Sequence, residues 1–261
     1  MTNTLGAPLT GVDYWQRVWD RIGDEPEDVV PDRTFDRVLS AYLPTSADLD
    51  AVEIGCYPGT YLLQLGSRYG YRMSGIDFIP GISKMRQPLE RNGVRVDELI
   101  EADFLQYKPT RTYDVVTSFG FIEHFKDLEL LLTKHAALVK PGGLLAIAVP
   151  HFHGIHYWLR RNLEPDLLET HNLDAMVPST YRHWLERNGF SILYCDYFMT
   201  FDFWLSSSAP ILDQRFAPKH RAVVWSVKLA KYALRRLNLE HIPNRWFSPY
   251  VVVVARKHAA S

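Results

Sequence analysis

The sequence predicts an α/β fold in which a doubly wound sheet of mostly parallel strands is covered by helices on both faces. Short apolar segments alternate along the chain with segments of helical period, as in successive βαβ units. Residues 144–150 are apolar throughout, which is typical of a strand buried on both faces. Residues 51–60 form an apolar run that breaks at glycines and continues with a helical pattern. Such a turn can direct free backbone N–H groups at a polar ligand.

The composition sets the first bounds on function. The chain has 261 residues, of which 47% are hydrophobic and 23% charged, and its net charge is −1. These values predict one domain with a substantial core and argue against nucleic acid as a partner. Cys56 and Cys195 are too few for a disulfide framework and lack metal-ligand spacing, which suits a reducing compartment. Because the first residues lack signal-peptide features and no apolar run reaches about 20 residues, we expect a cytoplasmic protein.

Two helices are predicted before the first strand. Residues 13–22 place aromatic side chains, Tyr14 among them, on neighbouring faces of an amphipathic helix that Asp13 can cap. Residues 35–43 predict a second, shorter helix that leads to the sheet.

The first strand and its turn come next. The strand ends at Ile54, Gly55 and Gly59 supply the turn, and residues 60–68 continue as a helix. A second strand over 71–77 then completes a βαβ unit.

The elements that follow alternate in the same way. They are a helix over 82–92, strands over 98–104 and 113–119, a helix over 128–139 and a strand over 144–150. The Lys-Pro-Gly-Gly sequence at 140–143 predicts the turn that ends the last of these helices. A later helix is capped by Ser179 and ends at Gly189, and strands over 191–197 and 249–256 enclose an insertion over 199–248.

An acid followed by glycines at alternate positions, here Glu53, Gly55 and Gly59, resembles the first cofactor motif of class I S-adenosylmethionine-dependent methyltransferases. Tyr57 stands where that motif has its middle glycine, so its ring either lines the cofactor pocket or points away from it. The spacing does not fit the G-x-G-x-x-G loop of nicotinamide-binding proteins.

Further motifs extend the resemblance. Asp77 ends the second strand, where a carboxylate can accept hydrogen bonds from both ribose hydroxyls of a nucleoside; a surface aspartate is the alternative. Residues 102–104 resemble the family's adenine-reading motif, and the turn at 140–143 matches as well. The pair Glu123 and His124 resembles the fourth-strand motif of ubiquinone-type and related small-molecule methyltransferases.

The resemblance implies a seven-stranded Rossmann-like methyltransferase sheet with an N-terminal helical cap, an insertion before the last strand, and S-adenosyl-L-methionine as cofactor. The cofactor-binding residues that it implies are Glu53, Gly55, Cys56, Tyr57, Gly59, Asp77, Phe78, Asp103, Phe104, Ser118, Phe119 and Tyr14. Because a helix before the first strand often closes over the cofactor in this family, Trp15 and Arg17 are implied beside Tyr14 at its methionine end; tryptophans that only cover the sheet are the alternative. We expect one domain overall, divided into the cap (1–44), the cofactor-binding core (45–198), the lid or insertion helices (199–248) and the last core strand and tail (249–261).

Histidines supply the candidate catalytic groups. Methyl transfer to a hydroxyl requires removal of a proton, which a histidine can accept. His151 and His153 follow the fifth strand and His124 follows the fourth, with His171 in reserve. The alternatives are loop histidines that shape an aromatic pocket and a Glu-His pair that only orders its loop.

No metal is predicted. Some relatives hold a divalent ion with an acid upstream of the Glu-His pair, but Gly120 offers no ligand there. The histidines after the fifth strand have no carboxylate at close spacing, which weakens a metal cluster as their explanation.

A basic amphipathic helix is predicted from Lys219 to Leu237, with no acid in it. Such a helix can lie on an anionic membrane or bind a phosphate-bearing acceptor. A lid or homodimer helix with a solvated charged face is the interpretation that we favour from the sequence.

The predicted function is O-methylation of a small-molecule or glycan hydroxyl by direct displacement, with a histidine base. Nucleic-acid methylation is disfavoured because no Asn-Pro-Pro-Tyr-type motif follows the fourth strand. N- or C-methylation of a natural-product intermediate is one alternative, and a catalytically degenerate cofactor-binding partner subunit is another.

Overall fold

The computed structural model describes residues 8–22, 29–203 and 217–259, with the side chains of 20–22, 217–221 and 224 left out. The described residues form one seven-stranded sheet with flanking helices. Its strands are β1 (Asp50–Ile54), β2 (Arg72–Asp77), β3 (Arg95–Glu101), β4 (Tyr113–Phe119), β5 (Val139–Pro150), β6 (Phe190–Phe198) and β7 (Tyr250–Lys257). The predicted α/β class and strand number are confirmed.

Helices connect these strands and flank the sheet. They are α1 (Val12–Ile22), α2 (Asp36–Tyr42), α3 (Thr60–Tyr69), α4 (Arg86–Arg91), α5 (Leu128–Leu138), α6 (Ile155–Leu163), α7 (Pro165–Glu169), α8 (Pro178–Arg187) and α9 (Ala217–Arg236). Short 3₁₀ turns precede α4 and α5, at Ile82–Met85 and Ile122–His124.

The strand order β3-β2-β1-β4-β5-β7-β6 fixes where a ligand can bind. Strands β1 to β5 pair in parallel, and β7 lies antiparallel between β5 and β6. From β1 the chain goes to β2 on one side and later returns through β4 on the other. Such a reversal opens a crevice beyond the carboxyl ends of β1 and β4.

Both faces of the sheet are buried, as the apolar strand patterns require. Along β5, successive side chains alternate between two separate hydrophobic clusters: Leu145, Ile147 and Val149 belong to one, and Leu144, Ala146 and Ala148 to the other. The four consecutive valines 251–254 of β7 divide between the same two clusters. The core therefore lies on both sides of the central strands and holds their carboxyl ends in place.

Three local predictions were wrong. The third strand ends at Glu101, because the Asp103 side chain accepts from the Leu105 N–H and turns the chain. Ser179 is not the cap of α8, because Pro178 occupies the first turn and Val177 becomes the N-cap. Residues 140–143 lie within β5 as an irregularity in its pairing with β4, where Gly142 has a φ of +78°.

Parts of the predicted divisions lie outside the described residues, namely 1–7 and 23–28 of the cap, 204–216 of the insertion and 260–261 of the tail. Within the described residues, no helix has both the length and the apolar content that crossing a bilayer requires. The subdivision of the chain into cap, core and insertion stays a prediction.

Candidate active site

A cavity of about 280 Å³ opens beyond the carboxyl ends of β1, β2 and β4, at the crevice that the strand order creates. Its walls come from the ends of these strands and the loops after them, from α1 and the residues before it, from the start of α3 and from Asp32. The lining residues are Thr10, Trp15, Trp19, Asp32, Glu53, Gly55, Cys56, Tyr57, Pro58, Thr60, Tyr61, Asp77, Phe78, Ile79, Phe119, Gly120, Phe121, His124 and Phe125.

Gly55 is required by the turn that follows β1. Its φ is +72°, and a Cβ built on it would lie 2.5 Å from Cδ2 of Phe121. Its N–H donates to the carbonyl of Ile76 over 2.9 Å, which ties the turn to β2. A larger residue would meet both a strained backbone and the Phe121 ring.

Tyr57 fills the position of the missing glycine without strain. Its backbone lies outside the left-handed region, and its N–H donates to Oδ2 of Asp77 over 3.0 Å. Its ring lines the cavity and meets the edge of Trp19 at a centroid distance of 5.4 Å. The sequence left two orientations possible for the Tyr57 ring, and in the structure the ring lines the pocket.

Two carboxyl groups lie on the β1 and β2 side of the cavity. Asp77 accepts from the N–H groups of Tyr57 and Ile79, one on each oxygen. Glu53 is 2% exposed, and its Oε2 finds no hydrogen-bond partner among the described residues. Burial, and secondarily the charge of Asp77, raises the pKa of Glu53 well above its usual range. A backbone N–H, that of Leu62, acts against this rise in the pKa of Glu53 without cancelling it.

Helix α1 covers the cavity with two tryptophans. Trp15 donates from Nε1 to Oγ1 of Thr10 over 3.0 Å and stacks with Trp19 at 6.0 Å. The ring of Tyr14 contacts the edge of Trp15 at 5.4 Å and is absent from the described lining. The geometry thus gives this wall to Trp15 and Trp19 rather than to Tyr14.

Several implied cofactor residues lie away from the described lining. Phe104 is buried and packs edge-on against Phe121 and His135, at 5.8 and 4.9 Å. Asp103 is exposed and holds the turn after β3. Ser118 is 1% exposed within β4. None of the three contributes to the cavity wall formed by the described residues.

The histidines after β5 are held by backbone carbonyls away from the cavity. His151 bonds through Nδ1 to the carbonyl of Ser248 over 2.7 Å, and burial lowers its pKa to about 4. His153 bonds through Nε2 to the carbonyl of Leu173 over 3.0 Å. Neither ring belongs to the lining that the structure describes, whereas His124 does.

His124 belongs to a buried cluster with Glu123 and His171. Its Nδ1 lies 3.0 Å from the carbonyl of Thr170; because a carbonyl only accepts, Nδ1 carries the proton and Nε2 a lone pair. Nδ1 of His171 donates in the same way to the carbonyl of Leu167 over 2.7 Å. The two rings lie 4.4 Å apart.

Glu123 completes this cluster. Its Oε1 lies 3.9 Å from Nε2 of His124, and its Oε2 has no partner in the described part of the chain. Burial raises the pKa of Glu123 to about 8 and lowers that of His124 to about 4. One donor atom from each of Glu123, His124 and His171 lies within 4.8 Å of the others, so the cluster can hold either a proton or a divalent ion.

The sequence missed several lining residues. Asp32 accepts from the Tyr61 hydroxyl over 2.9 Å, and both face the cavity. Thr10 and Trp19 reach it from the amino-terminal side. No motif indicates these residues, because the packing of segments that are distant in sequence brings them to the cavity.

Comparison with known proteins places this geometry among methyltransferases. A family model described as a methyltransferase domain matches residues 27–194. Ubiquinone biosynthesis O-methyltransferase from Xanthomonas euvesicatoria pv. vesicatoria (strain 85-10) is 28% identical over 137 residues, which are 51% of this chain and 55% of that protein. The chain thus matches about half the length of this relative.

Solved structures of similar fold include coclaurine N-methyltransferase bound to N-methylheliamine and SAH. Its TM-score is 0.57 at 18% identity, over 85% of this chain and 71% of that one. The [4+2]-cyclase SpnF is also similar, with a TM-score of 0.55 at 15% identity, over 87% of this chain and 81% of that one. At these identities the likeness concerns the fold.

Proposed function

The chain belongs to the methyltransferase-domain family, and from this premise we propose that it methylates a hydroxyl oxygen of a small-molecule or glycan acceptor. Membership in the family makes S-adenosylmethionine the methyl donor. The observation that carries the choice of oxygen is a neutral histidine, His124, in the same cavity wall as the loops that fit the donor.

The described residues fit this cofactor. Each Asp77 oxygen accepts one backbone N–H and keeps a lone pair that a ribose hydroxyl can use. Glu53 Oε2 is a buried acceptor without a partner, and the ammonium group at the methionine end would satisfy it. Because residue 55 is a glycine, no side chain from that position fills the space between these carboxyl groups and Phe121.

When bound, S-adenosylmethionine supplies a methyl group on a positively charged sulfur. In a direct displacement the acceptor oxygen would take this methyl group, and sulfur would leave with the electron pair of the carbon–sulfur bond. The hydroxyl proton passes to Nε2 of His124, whose orientation the carbonyl of Thr170 fixes. Glu123, whose Oε1 lies 3.9 Å from Nε2, stabilises the resulting imidazolium when it is ionised, a form that becomes predominant only above about pH 8. Trp15 and Trp19 exclude water from the cavity.

His124 is preferred over His151 and His153 as the base because it alone of these three lines the described cavity. Its low pKa keeps the imidazole neutral at pH 7, so the lone pair is available before the acceptor binds. His171 packs beside it and acts as a positioning residue.

Binding and turnover test separate parts of this proposal. By isothermal titration, we expect Asp77→Asn to weaken S-adenosylmethionine binding by about 10- to 100-fold, since a hydrogen bond to a charged group contributes about 1.5–3 kcal/mol. Asp97→Asn is the matched control, because Asp97 forms a surface ion pair with Arg111. Unchanged affinity in Asp77→Asn would contradict the assigned cofactor site.

For the base, we expect His124→Gln to bind the cofactor normally and to lose about 10²- to 10⁴-fold in turnover with phenol, catechol or sugar acceptors. His183→Gln is the control, since His183 is an exposed residue of α8. Turnover on amines that is insensitive to His124→Gln would favour N-methylation, because a free amine needs no base. Binding without turnover on any acceptor class would favour a cofactor-binding partner subunit.

A further inference from the structure

Helix α9 carries an exposed apolar surface, and its residues are not part of the described cavity lining. Trp225, Leu229 and Tyr232 are 70%, 69% and 57% exposed. Their spacing of four and three residues places them on one face of the helix, which we call the outer stripe. Val227 lies on the opposite face and is 8% exposed, so α9 already contacts the rest of the protein through another apolar face. The outer stripe faces away from this packed side of the helix and is exposed to solvent.

Cations flank the outer stripe. Lys228 lies beside it, with Nζ 5.9 Å from the Trp225 ring centroid, and Arg236 donates from Nε to the Tyr232 hydroxyl over 3.0 Å. Arg235 is on the same flank as Lys228 at helical spacing. Lys231 is instead paired with Asp202 at 2.7 Å. The helix sequence 217–236 contains six Lys and Arg residues and no Asp or Glu, in a chain whose net charge is −1.

This combination fits the surface of an anionic bilayer. Tryptophan and tyrosine are favoured where headgroups meet acyl chains, because each has an apolar ring and a polar atom. Lysine and arginine beside them are attracted to anionic headgroups, each by about 1 kcal/mol near the surface. The residues Trp225, Ser226, Lys228, Leu229 and Tyr232 also line a shallow groove, so the stripe is a continuous surface.

A second copy of the chain fits this surface poorly. Two outer stripes packed face to face would bring Lys228, Arg235 and Arg236 of one helix against the same residues of the other. The helix offers no carboxylate to pair with them. Like charges in contact oppose such an interface.

We propose that the outer stripe docks the protein on an anionic membrane surface. Helix α9 lies in the plane of the bilayer, Trp225 and Leu229 enter the boundary between headgroups and acyl chains, and Lys228, Arg235 and Arg236 contact lipid phosphates. This docking requires no cofactor and no acceptor, so it stands independently of the methyl-transfer reaction.

Vesicle sedimentation with the full chain tests the docking. We expect partitioning onto phosphatidylcholine vesicles that contain about 30% phosphatidylglycerol to exceed that onto phosphatidylcholine alone by at least about 10-fold. The double variant Lys228→Glu/Arg235→Glu should lose at least about 10-fold in partitioning onto the anionic vesicles. Its control, Arg91→Glu/Lys108→Glu, makes the same change of charge at exposed positions away from α9 and should retain most of the binding.

A second variant, Trp225→Ser/Leu229→Ser, separates apolar insertion from charge. It removes two exposed side chains, so the fold and S-adenosylmethionine affinity should be unchanged while partitioning falls by about 10-fold or more. The proposal is overturned by absence of binding to anionic vesicles, or by equal losses in the α9 and control charge variants. Concentration-dependent dimers that Trp225→Ser/Leu229→Ser abolishes would overturn it in favour of a second copy.

Discussion

Gly55→Ala tests why a glycine is needed in the turn that follows β1. The backbone at this position has a φ of +72°, which costs a residue with a Cβ about 1–2 kcal/mol. The added Cβ would also lie 2.5 Å from Cδ2 and 2.9 Å from Cγ of Phe121. Because Phe121 is itself packed against Phe104 and Phe125, relieving this overlap should cost a further 1–3 kcal/mol, or roughly 2–5 kcal/mol in all.

Gly93→Ala isolates the backbone cost. Gly93 has a similar φ of +80°, but a Cβ there would meet no described atom within 4 Å. We expect this variant to lose only about 1–2 kcal/mol in the free energy of unfolding. The difference between the two variants measures the collision with Phe121.

Urea unfolding gives both free energies, and isothermal titration with S-adenosylhomocysteine measures the effect on the site. Gly55→Ala should bind at least about 10-fold more weakly, since displacement of the turn moves backbone that lines the cavity. Gly93→Ala should bind like the wild type. Equal loss of stability in both variants, with unchanged affinity in Gly55→Ala, would refute this account of the turn.

Three further predictions concern the ionisable groups. If ionised Glu123 stabilises the His124 imidazolium, turnover should rise with pH through about 8, and Glu123→Gln should remove that rise; an unchanged pH–rate profile would contradict the role. Burial lowers the pKa of His135 to about 4, below the unfolded value of 6.5, so its contribution to stability is complete above pH 6.5 and is lost as the pH falls towards 4. The wild type should therefore lose about 2 kcal/mol more of its free energy of unfolding between pH 6.5 and pH 5 than His135→Leu does, as measured by urea unfolding. An identical loss in the two proteins would disprove this. Finally, EDTA should leave turnover unchanged; inactivation that a divalent ion reverses would make Glu123, His124 and His171 metal ligands instead of an acid–base cluster.

The candidate site shows where motif reasoning works. Glu53, Gly55 and Asp77 were predicted from local features, an acid and glycines at strand ends, and the structure brings them into one cavity. Their positions follow from the sheet, because carboxyl ends of parallel strands share one edge. Their role in binding the cofactor stays a prediction until affinity is measured.

Motif reasoning could not choose among the histidines. His151 and His153 follow a strand end as His124 does, yet carbonyls of Ser248 and Leu173 hold them away from the described cavity wall. Those carbonyls lie 97 and 20 residues from their partners, so no local pattern reveals them. The same holds for His171, which reaches His124 across 47 positions of sequence.

The sequence by itself determined the α/β class, the seven strands and the location of the glycine turn, because alternating apolar periods and glycine positions act over a few neighbouring residues. Tertiary structure alone decided that Trp19 covers the cavity together with Trp15, that Asp32 and Tyr61 face it, and that His124 meets His171. These contacts join distant segments, and their geometry results from how helices and loops pack on both faces of the sheet. Local sequence patterns contain no information about that packing, so the walls of the site cannot be predicted from them.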